Sequence, residues 1–91
     1  MPQYVIEREI DGLGESTDLE LQAVAEKSNG VLRELGTDVQ WLHSYVTGDK
    51  MYCVYNATGE DIVREHARRG GFPADSVSRV VRTIDPTTAE A

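Results

Sequence analysis

Ninety-one residues carry two histidines, His43 and His66, and one cysteine, Cys53. These are the side chains that ligate transition metals or move protons near neutral pH, and neighbouring carboxylates extend what they can do. His43 lies in the segment Trp41-Leu42-His43-Ser44-Tyr45-Val46. A neutral imidazole there can bind a divalent metal or act as a general base once an acceptor orients its second nitrogen. Glu7 and Glu9 near the N-terminus are candidate acceptors, or metal ligands in their own right. The plainer alternative for His43 is an interface histidine hydrogen-bonded to a carboxylate. The pair Glu65-His66 forms a second candidate. His66 shares a face with Ile62 and Val63, which directs it toward a core where Cys53 is also expected. A His–Cys pair suits nickel, zinc or copper, and with a depressed thiol pKa it would give a nucleophile and its base. The alternatives are a core histidine beside an inert buried thiol, and a Glu65 that pairs with Arg68 or Arg69 on the outer helix face.

Composition removes several other functions. Nine Lys and Arg against sixteen Asp and Glu leave a net charge of −7. A phosphate-reading surface needs clustered cations, so nucleic acid is not an expected partner. The same charge disfavours anionic membrane surfaces. No apolar run approaches the roughly 20 residues of a membrane span, and Met1-Pro2-Gln3-Tyr4 lacks the basic and apolar regions of a signal peptide. A single cysteine excludes an internal disulfide, which fits a reducing cytoplasm. Arg69-Gly70-Gly71 lacks the spacing and lysine of a phosphate loop and reads as a helix stop.

Six elements must position these candidates. Residues 4–10 read as a strand, with Tyr4, Ile6 and Ile10 on one parity and Val5, Glu7 and Glu9 on the other. Arg8 breaks the apolar parity. Thr17 and Glu20 have capping-box spacing. Leu21, Val24, Ala25, Ser28, Val31, Leu32 and Leu35 then recur at helical spacing up to Gly36, with Asn29-Gly30 as a possible kink. Residues 39–47 and 50–57 are two strands around a tight Gly48-Asp49 turn. A second helix starts near Thr58 or Asp61 and ends at Gly70-Gly71, and residues 76–84 are the last strand. Residues 1–86 thus make one domain, and 87–91 a flexible tail.

The order β-α-β-β-α-β predicts an α+β, ferredoxin-like fold. It is a four-stranded antiparallel sheet with both helices on one face and strand order 4-1-3-2. If Thr47 pairs with Lys50, His43 faces Val54, Ser44 faces Cys53 and Tyr45 faces Tyr52. Parity then puts Leu42, Ser44, Val46 and Cys53 on the helix side. Trp41, His43, Tyr45, Tyr52, Val54, Glu7 and Glu9 fall on the open side. That register sets His43 and Cys53 on opposite faces, which argues against one shared ion. So aromatic an open face needs cover, and a twofold-related copy is the simplest. Two facing sheets would form a dimeric α+β barrel around a shared cavity.

Five segments together resemble a known family. They are Tyr4-Val5-Ile6-Glu7-Arg8, the His43 segment, Asp49-Lys50-Met51-Tyr52-Cys53-Val54-Tyr55, Arg64-Glu65-His66-Ala67 and Gly71-Phe72-Pro73-Ala74-Asp75. In this order they resemble small bacterial nickel-binding proteins of ferredoxin-like fold, most of them known only as a domain of unknown function. The resemblance spans residues 3–86. It implies a homodimer with facing sheets, a bound nickel ion and a nickel-responsive or sequestering role, and it implies no catalytic reaction. Carried onto this chain, it makes His43, Cys53, Glu65 and His66 candidate nickel ligands, with Glu7 and Glu9 added from the first-strand segment. Two other functions remain open. One is a small-molecule enzyme of the dimeric barrel type with His43 as the proton-transfer residue. The other is a non-catalytic protein-interaction module.

Overall fold

In the computed structural model, which describes residues 1–90, six main elements follow the expected order. They are β1 (Gln3–Glu9), α1 (Asp18–Leu35), β2 (Val39–Val46), β3 (Lys50–Ala57), α2 (Glu60–Gly70) and β4 (Ser76–Arg79). The sheet order is β2-β3-β1-β4, and every pairing is antiparallel. The chain therefore has the ferredoxin-like layout that the sequence predicts.

Local signals account for the element ends. Thr17 caps α1 with both capping-box bonds: Glu20 N donates to Thr17 Oγ1 at 3.1 Å, and Thr17 N donates to Glu20 Oε1 at 3.1 Å. The helix continues through Asn29-Gly30 as one element. Gly71, at φ 69°, closes α2 in a left-handed conformation that glycine adopts without a Cβ penalty. The Gly48-Asp49 turn also anchors the loop after β1, because Ile10 N donates to Asp49 O and Gly14 N to Gly48 O, at 2.9 and 2.8 Å.

The core lies between the helices and one sheet face. Tyr4, Ile6, Met51, Cys53 and Tyr55 supply the sheet side, with Val63, Leu21 and Val24 above them. The alternation in β1 and β3 is nearly perfect, with buried and partly exposed residues taking turns along each strand.

Two expectations fail, each for a physical reason. The last strand stops at Arg79 instead of continuing to residue 84. Its partner β1 begins at Gln3, so after Val80 N donates to Gln3 O at 2.8 Å no paired backbone remains. Val81 is then 90% exposed. The second failure concerns Trp41. The register is as expected from His43 to Val46, but a β-bulge interrupts it between Trp41 and His43. Leu42 is the extra residue, and Trp41 pairs with the buried Tyr55 instead of lying on the open face. A bulge reverses the parity of everything beyond it. Trp41 packs against the core and donates from Nε1 to Ser44 Oγ at 2.9 Å, while Leu42 is left exposed.

Candidate functional site

The six candidate residues occupy four separate places. Glu7 and Glu9 project from β1 on the open face, as their parity requires. Lys50 meets both: its Nζ is 2.6 Å from Glu7 Oε1 and 3.9 Å from Glu9 Oε1. The hydrogen bond to Glu7 raises the Lys50 pKa above its ordinary value. The two carboxylates are thus already matched to a cation.

His43 stands elsewhere on that face. It pairs with Val54, which pairs in turn with Val5 of β1, so β3 separates it from Glu7. Strands lie about 4.8 Å apart, so β2 and β1 are about 10 Å apart, and Glu7 is two residues further along. His43 is exposed, and its ring contacts Tyr45 edge-on at 5.0 Å between centroids.

Cys53 and His66 are both buried on the helix side, but each has a different partner. His66 is 0% exposed, and its Nε2 lies 3.0 Å from Ser28 Oγ on α1. Its Nδ1 has no hydrogen-bond partner. Burial first, then the nearby Arg8 charge, lowers its pKa to about 4, so it is neutral at pH 7. Cys53 Sγ accepts from Arg8 Nε at 3.5 Å. Glu65 lies outside this interior and accepts from Arg68 and Arg69, which hold its pKa down at about 2.

Arg8 is the residue that sequence reasoning passed over. It is only 2% exposed. Nη2 donates to Tyr55 Oη at 3.4 Å, Nη1 donates to the Pro73 carbonyl, and the guanidinium lies 5.5 Å from the Phe72 ring centroid. Burial raises the Tyr55 pKa to about 12, so its hydroxyl stays protonated. The signal was present in the sequence, because Arg8 continues the inward parity of Tyr4 and Ile6.

A nickel centre needs several convergent donors. Among the described residues, no three His, Cys, Asp or Glu side chains stand close enough together to hold a metal ion. The interior pair fits a dication poorly, since Arg8 already places a positive charge on Cys53.

Comparison with known proteins identifies the group to which this geometry belongs. The family model described as "Nickel responsive protein SCO4226-like" matches residues 4–80. The chain belongs to the SCO4226-like family. Among solved structures, it is similar to the crystal structure of SCO4226 from Streptomyces coelicolor A3(2), with a TM-score of 0.76 and 15% identity. That match covers 90% of this chain and 99% of the other, and at this identity it speaks to the SCO4226-like fold alone. No curated protein matches. Among the described residues of this family member, no helix is long and apolar enough to cross a membrane.

Proposed function

We propose that the chain is a nickel-responsive protein that works as a homodimer, with its metal contact formed where two open sheet faces meet. The observation that carries this reading is the uncovered face itself. Tyr45 is 60% exposed, and His43, two residues before it on the same face of β2, is exposed as well. A twofold axis passing through this face beside β2 would bring His43 of one protomer toward His43 of its partner. Family membership supports nickel as the metal. The separation of donors within one chain is the reason to place the site between two chains. Cys53, Glu65 and His66 have partners of their own and serve structure in this reading. Glu7 and Glu9, matched to Lys50, add negative potential on the same face.

The test is calorimetric titration of untagged protein with nickel, run beside sedimentation. Saturable binding that is lost in His43→Ala, by a protein that sediments as a dimer, is the expected result. Absence of saturable binding by the untagged wild type overturns the reading.

A further inference from the structure

On the helix side, a cavity of about 180 Å³ lies between α1 and the sheet, with its wall formed by Val24, Ala25, Trp41, Cys53, Tyr55 and Arg8. Small residues leave this room: Ala25 and Ser28 face it from α1, and Ser44 faces it from β2. The bulge at Leu42 contributes as well, since it turns Trp41 inward to form one wall. Val46, also in the lining, is 41% exposed, so the cavity reaches solvent at the β2 edge.

The cavity wall carries an unmatched charge. Arg8 enters none of the ion pairs among the described residues. A buried guanidinium normally meets a carboxylate, because desolvating an uncompensated charge is costly. Its recorded bonds go to a thiol, a carbonyl and a phenol, all formally neutral acceptors. A guanidinium has five N–H donors. Three are used here, which leaves one on each terminal nitrogen. Two such donors suit the two oxygens of a carboxylate.

We propose that this cavity binds a small monocarboxylate, with its carboxylate on Arg8 and its apolar body against Val24, Ala25 and Trp41. Size sets the body, since a cavity of roughly 150 Å³ accepts benzene. A single ring or a chain of about six carbons is therefore the right scale. The site lies on the opposite side of the sheet from His43, so either proposal can fail without the other.

Trp41 is the sole tryptophan and forms part of the wall, which makes its fluorescence a local reporter. The metal-free protein is titrated with hexanoate, with 1-hexanol and with inorganic phosphate. Hexanoate is expected to change the Trp41 emission saturably, with hexanol at least tenfold weaker and phosphate without effect. Ala25→Leu, which fills the cavity and leaves Arg8 in place, should weaken hexanoate at least tenfold with an unchanged circular dichroism spectrum. Arg8→Met should abolish the preference for hexanoate over hexanol. Equal binding of hexanol and hexanoate by the wild type, saturation by phosphate, or no saturable change with hexanoate would overturn the proposal. The wild-type ligand series decides the matter even if Arg8→Met does not fold.

Discussion

The Ser28 hydroxyl and His66 Nε2 lie 3.0 Å apart, joining α1 to α2 through a fully buried contact. This bond satisfies one ring nitrogen of a histidine whose other nitrogen has no partner. His66 also packs 5.2 Å from the Tyr55 ring and 5.7 Å from the Phe72 ring. Folding displaces its titration downward.

That displacement gives a pH dependence with a definite sign. The His66 pKa is depressed from 6.5 to about 4 in the folded chain. Between those values the unfolded chain binds a proton that the folded chain refuses, so stability falls as the medium is acidified. The contribution is fully present above about pH 6.5 and is lost as pH falls toward 4. Its size is on the order of 3 kcal/mol. Urea midpoints measured from pH 7.5 to 4.5 should decline over this window, and the decline should flatten in His66→Gln.

Ser28→Ala removes the hydroxyl and leaves His66 Nε2 buried without a partner. A buried polar group deprived of its bond costs about 1–3 kcal/mol. Chemical denaturation at pH 7.5 should show this loss. A neutral result would mean that water replaces the hydroxyl.

Gly14 abuts the hairpin turn closely enough that no side chain fits there. A Cβ would lie 2.8 Å from the Thr47 carbonyl oxygen and 2.9 Å from Gly48 Cα, both backbone atoms. Gly14→Ala should therefore cost about 1–3 kcal/mol through overpacking. In a domain of this size, that lowers the melting temperature by roughly 4–8 °C per kcal/mol. Gly59, with nothing within 4 Å of its Cβ position, is the control whose alanine variant should be milder.

The bulge predicts a spectroscopic result. Deleting Leu42 removes the extra residue and leaves Trp41 directly before His43, on the inward parity and opposite the same buried Tyr55. Its emission maximum should therefore stay where it is in the wild type. A shift to the red would show that the extra residue itself, and not the pairing with Tyr55, holds the ring in the core.

Tyr45→Lys puts a charge at the most exposed aromatic of the open face. If that face joins two protomers, the substitution places like charges near the axis and should shift sedimentation toward monomer. The folded protomer should remain intact, because Tyr45 is not part of the core.

Much of this architecture was legible because it rests on interactions between near neighbours. Thr17 and Glu20 are three residues apart, so their reciprocal cap could be read from spacing. The Gly48-Asp49 turn set the register that pairs Ser44 with Cys53 and Tyr45 with Tyr52. Alternation assigned Glu7 and Glu9 to the open face, where Lys50 meets them across the β1–β3 ladder.

Packing between distant segments settled the rest. Alternation follows one strand, but a bulge is a mismatch between two strands, so the inward turn of Trp41 had no local sign. Arg8 lies inward by parity, yet only the arrival of Cys53, Tyr55 and Pro73 explains why a cation is tolerated there. Residue types made His43, Glu7, Cys53 and His66 candidate ligands, and the hairpin register already set His43 and Cys53 on opposite faces. The number of strands between them, and the face each occupies, keeps them apart. The sequence by itself determined the elements and their order, because those depend on spacing within a few residues. Which side chains share a space was decided only by the tertiary structure, because that depends on distances through the fold that spacing along the chain does not encode.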